Sequence, residues 1–95
     1  MFIVSLKFST NRHLAGQYMG GHKSWLQDGF DDGIFLLAGS LQPAAGGMVL
    51  AHACTRAALE ERVNADPFVV HGVVSAEYME VLPSRASDAL AFLLP

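Results

Sequence analysis

The stretch from residue 21 to residue 43 switches hydrophobic period in its middle, and that switch narrows the folds open to this chain. Read as a helix, its first half puts His22 on one face with Tyr18, Met19, Trp25, Leu26 and Phe30. Lys23, Ser24, Gln27, Asp28 and Asp31 fall on the other. After Asp32-Gly33, residues 34–38 form an unbroken apolar run too short for a comfortable helix, closed by Gly39-Ser40 and then Pro43. This predicts a buried strand. A helix that carries a single imidazole toward a sheet is the strongest chemical hint in the sequence.

The flanking segments supply the rest of the sheet. Residues 2–8 are β-branched and aromatic, with Ser5 and Lys7 alternating with Val4, Leu6 and Phe8, which predicts a first strand. The helix from about Leu14 to Asp31 contains Gly20, Gly21 and Gly29, each costing about 1 kcal/mol relative to Ala. Either it starts at Gly21, or a nearby backbone needs the missing side chains; a continuous, weakened helix capped by a left-handed Gly33 is the favoured reading. Residues 34–41 and 48–53 are expected to pair as antiparallel strands across the loop 42–47. Thr55 is placed to cap a helix over about 55–65 with Ala58, Leu59, Arg62 and Val63 inward. Asp66-Pro67-Phe68 opens a further single turn up to Gly72, residues 73–82 alternate as a fourth strand, and Ser87 is positioned to cap a short apolar helix.

The order βαββαβ predicts an α+β, ferredoxin-like domain over residues 1–82, a four-stranded antiparallel sheet with two helices on one face. Residues 83–95 form an apolar tail expected to pack on the domain or on a partner. For 95 residues the chain is apolar, 52% hydrophobic and 16% charged with a mean hydropathy of +0.32. The uncovered sheet face is therefore expected to meet a second copy in a homodimer or higher homo-oligomer. A net charge of −3 with six scattered Lys and Arg argues against nucleic acid. No stretch approaches the ~20 apolar residues of a membrane span, and the first residues lack the pattern of a signal peptide. The one cysteine, Cys54, rules out an intramolecular disulfide and fits a reducing compartment, so a cytoplasmic location is expected.

Five short motifs follow the apolar first strand in order: His-x-x-Trp-Leu at 22–26, Asp-Gly at 32–33, Leu-Ala-Gly-Ser at 37–40, Gly-Gly-Met-Val-Leu at 46–50, and Asp-Pro-Phe-Val at 66–69 followed by Gly72. Together they resemble the YciI-like proteins (YCII-related domain) of the dimeric α/β-barrel superfamily, over residues 1 to about 82. The resemblance implies a ferredoxin-like protomer whose dimer encloses small clefts, and a catalytic His-Asp dyad, carried over by motif to His22 and Asp66. It further implies small, often aromatic or chlorinated, substrates. Ser40 departs from the pattern, since many relatives have Pro after this Gly, and so does the Gly20-Gly21 pair before the histidine.

The expected function is a small-molecule enzyme in which His22 and Asp66 transfer a proton in an isomerisation, elimination or dehydrochlorination, with no nucleotide cofactor and no metal. Ser40, Trp25 and Phe68 are the expected substrate contacts, and an aromatic molecule the expected ligand class. The alternative is a non-catalytic module that binds a small metabolite or serves dimerisation. Each residue also has an ordinary structural role: a core histidine, an Asp capping a turn, a Ser in a loop, aromatic rings in a core. His13, His52 and His71 lack the spacing of a zinc site. Geometry separates the readings, because a working dyad needs the imidazole within about 2.6–3.2 Å of the carboxylate, beside a hollow.

Overall fold

The period-two pattern of β1 (Phe2–Phe8) sends Phe2, Val4 and Leu6 to a buried face and Ile3, Ser5 and Lys7 to the opposite one. The computed structural model describes residues 1–95. β1 lies inside a four-stranded antiparallel sheet with β2 (Phe35–Leu41), β3 (Gly46–Ala51) and β4 (Val74–Glu80) in the order β2-β3-β1-β4. In register, Val4 stands between Val49 and Tyr78, and Leu6 between Gly47 and Ala76. Helices α1 (Ala15–Asp31), α2 (Arg56–Asn64) and the single turn α3 (Pro67–Val70) cover the face carrying Val4 and Leu6. This is the ferredoxin-like α+β arrangement expected from the element order. No helix is long and apolar enough to cross a membrane.

β2 corrects one expectation. Its apolar run predicts a buried strand, yet only Phe35 is buried, and Leu37 to Ser40 are exposed because β2 is an edge strand. Composition identifies a strand; it does not give the strand's place in the sheet. A register irregularity between Phe35 and Leu37 turns Leu37 to the outer face, opposite Leu50. That outer face also carries Ile3, Met48 and Met79, of which Met79 is 56% exposed and Leu37 52%.

The glycines of α1 divide by what a side chain would meet. A 3-10 turn at Arg12–Leu14 leads into an unbroken helix, so the start at Gly21 is not the one adopted. At Gly29 a Cβ would collide with the Phe35 ring, and at Gly21 it would lie 3.0 Å from Pro67 Cγ. These two absences let α1 approach the sheet and α3. Gly20 has nothing within 4 Å. Gly20→Ala is therefore expected to raise stability by about 0.5–1 kcal/mol, read as an increased denaturation midpoint. Gly33, at φ +72°, ends the helix as the left-handed cap, with the Ile34 amide donating to the Gly29 carbonyl at 3.0 Å.

Met19 and Phe30, expected on the inward face, lie at its margins and are more than a third exposed, and Ala58 of α2 is likewise exposed. Thr55 caps α2 through a 3.1 Å bond from the Ala58 amide to its hydroxyl. The tail forms a 3-10 segment, Asp88–Leu93, in place of an α-helix, and the Ser87 side chain makes no capping bond. The Phe92 ring lies 5.6 Å from that of His52, while Leu90 and Phe92 remain largely exposed.

Candidate active site

His22 and Asp66 are 44 positions apart in the chain, and the packing of α1 on α3 joins them. Asp66 holds the N-cap position of α3, where its Oδ1 accepts the Phe68 amide at 3.0 Å. The same Oδ1 lies 2.9 Å from His22 Nδ1. One oxygen thus serves both the cap and the imidazole, where the two carboxylate oxygens could have shared these duties. Asp66 is fully buried, and its Oδ2 has no partner. A buried carboxylate kept in so apolar a place implies that its contact with the imidazole outweighs part of the desolvation cost.

With Asp66 accepting, Nδ1 carries the proton and Nε2 is the ring nitrogen left to act on a ligand. Phe68 fixes the ring plane from one side, its centroid 4.1 Å from that of His22 and its plane within 5° of parallel. The short α3 therefore supplies both the carboxylate and the stacking partner. Gly21, by admitting Pro67 against α1, sets the distance between the two elements.

His22 lines a cavity of about 350 Å³ between α1 and the β2-β3 end of the sheet. Leu6, Phe8, Leu26, Val49 and Val74 give it apolar walls, and Phe68 closes one side. Ser40 lies at its edge-strand wall, opposite Gly47 in the ladder. Of the residues singled out in sequence, the fold brings four to this hollow: His22, Asp66 behind it, Ser40 and Phe68. Trp25 is the exception. Its indole Nε1 donates to the Arg62 carbonyl at 2.8 Å and its ring meets Phe35 edge-on, so it ties α1 to α2 and does not line this cavity.

Two contributors were not visible in the pattern. Lys23, assigned to the outward face of α1, is among the residues that line the cavity. Gly46 and Gly47 leave the strand surface bare beneath Ser40, and Gly46, at φ +126°, runs against the Leu6 carbonyl where a Cβ would collide. The Gly-Gly pair, expected at the end of the loop 42–47, is the first part of β3.

A larger, more open depression of about 720 Å³ lies between α1 and α2, lined by Trp25, Asp28, Cys54 and Arg62 among others. It contains no imidazole-carboxylate pair, and Asp32 on its rim is held by Arg62 at 2.7 Å. Burial pushes the Cys54 thiol up, against the lowering effect of Arg62, so it stays protonated at neutral pH and is a poor nucleophile. No three His, Cys, Asp or Glu side chains converge as metal ligands.

The sequence matches no protein-family model and no curated protein at a significant level. Among solved structures the chain is similar to 5-chloro-2-hydroxyhydroquinone dehydrochlorinase (TftG) from Burkholderia phenoliruptrix AC1100, a structure described as a complex with 2,5-dihydroxybenzoquinone. The TM-score is 0.69 at 12% identity, over 85% of this chain and 93% of that one. The two share a fold.

Proposed function

We propose that this chain is a YciI-like small-molecule enzyme in which His22 and Asp66 act as a proton-transfer dyad. The observation that carries the reading is the 2.9 Å contact between His22 Nδ1 and Asp66 Oδ1 at the wall of the 350 Å³ cavity. Asp66 holds the Nδ1–H tautomer and stabilises the imidazolium once formed, leaving the Nε2 lone pair to take a proton from a C–H or O–H group of the substrate. In an isomerisation the proton returns at another atom. In a dehydrochlorination the bonding pair left behind forms a new double bond and chloride departs with its own pair.

Phe68 and the apolar walls favour a flat ring as ligand, and Ser40 offers a hydroxyl at the wall carried by β2. The outer sheet face, with Ile3, Leu37, Met48, Leu50 and Met79, is the surface through which a second copy would pair in this reading. The tail, residues 83–95, would add its exposed Leu90 and Phe92 to the same assembly.

The test uses the ligand chemistry of the structural neighbour. The purified protein is expected to release chloride from 5-chloro-2-hydroxyhydroquinone or a related chlorinated hydroquinone faster than buffer does, and to be protected by 2,5-dihydroxybenzoquinone against thermal unfolding. Protection without turnover across a panel of chlorinated hydroquinones would favour a binding module. Neither protection nor turnover would remove the small-aromatic reading.

A further inference from the structure

Lys23 is the only lining residue of the His22 cavity that carries a fixed charge, and none of the fifteen lining residues is acidic. Its ammonium has no ion-pair partner, whereas Lys7, Arg56 and Arg62 are paired with Glu77, Glu60 and Asp32. Arg12 adds a second cation behind one wall, its guanidinium carbon 4.1 Å from the centroid of the Phe8 ring that lines the cavity. Asp66, not itself a lining residue, is fully buried and engaged with His22. The fixed charge on the cavity lining is therefore positive.

We propose that Lys23 makes this cavity selective for anionic ligands, an aromatic ring bearing a carboxylate or an ionised hydroxyl. The inference rests on the reading of this cavity as the ligand site, and it adds the ligand's charge. It also gives Lys23 a role during proton transfer. When His22 Nε2 removes a proton from the substrate, the electron pair left behind delocalises onto a substrate oxygen, and an ammonium on the cavity wall offsets that charge. A long flexible cation suits this task, because it can follow ligands of different size. Ser40, across the cavity, is placed to donate to an oxygen of the same ligand.

The experiment compares binding of benzoate with that of benzamide, a neutral molecule of nearly the same shape, by calorimetry at low salt. The unmodified protein and Lys23→Arg are expected to bind benzoate about tenfold more tightly than benzamide, as a charge-assisted contact at a partly screened site allows. Lys23→Met keeps the aliphatic stem and is expected to abolish this preference while leaving the benzamide constant unchanged. His22→Asn is expected to retain it, which separates the lysine from a protonated imidazole. Equal binding of the two probes by the unmodified protein, a preference that survives Lys23→Met, or no binding of either overturns the proposal. Failure of turnover with the benzoate preference intact would defeat the catalytic reading and leave the anion selectivity standing.

Discussion

His22→Asn is expected to lower the rate of proton transfer in the cavity by about 10²–10⁴-fold, with the fold intact. Asn is chosen because its side-chain amide nitrogen falls near the position of the imidazole Nδ1. It can donate to Asp66 Oδ1 as the histidine does at 2.9 Å, so the buried carboxylate keeps its partner. What disappears is Nε2, the ring nitrogen not engaged by Asp66. The variant also loses the ring stacked on Phe68, a contact worth about 1 kcal/mol. A modest fall in melting temperature should therefore accompany a large fall in kcat. Turnover within a few-fold of the unmodified protein would make His22 a packing residue and remove the dyad from the mechanism.

The architecture was readable because its signals are local. The alternation in Phe2–Phe8, the cap chemistry of Thr55, the Asp66-Pro67 helix start and the left-handed Gly33 each depend on a few neighbours, and each is found where the residues put it. Position within the sheet is a different kind of property. Residues 34–38 announce a strand, yet their exposure depends on which strands lie beside them, and β2 has a neighbour on one side only. The glycines show the same divide. Gly20 and Gly29 are identical in sequence terms, but one faces open space and the other the Phe35 ring.

The site was legible in its chemistry and not in its walls. Periodicity turned His22 inward, and the capping pattern placed Asp66 at a helix start, but only the meeting of α1 and α3 brings them to hydrogen-bond distance. Trp25 shares the inward face of α1 with His22 and still belongs to another contact, because three residues along a helix also move a side chain about 4.5 Å along its axis. That step carries Trp25 from the cavity to the end of α2, where the Arg62 carbonyl waits. Lys23 was hidden for the opposite reason: helical period assigns it to the outward face, and it nevertheless lines the cavity.

Asp66 gives the second large effect, and two substitutions divide its roles. Asp66→Asn keeps an oxygen that accepts the Phe68 amide and puts an amide nitrogen where the unpartnered Oδ2 now lies. The turn α3 is therefore expected to survive with little change in stability. The negative charge that favours the imidazolium is gone, while the retained oxygen still accepts from Nδ1. A loss of roughly 10²–10⁴-fold in rate is expected from the loss of that charge. Asp66→Ala removes the cap as well, strands His22 Nδ1 and opens a small cavity, offset in part by relief of the buried Oδ2. The net destabilisation is expected to be about 2 kcal/mol, a fall of about 10 °C in melting temperature for a domain of this size. If Asp66 were only a cap, Asp66→Asn would turn over normally and Asp66→Ala would lose activity no faster than it loses folded protein. A dyad requires the reverse order, with Asp66→Asn folded and slow, so activity and melting curves measured on the same two preparations decide between them.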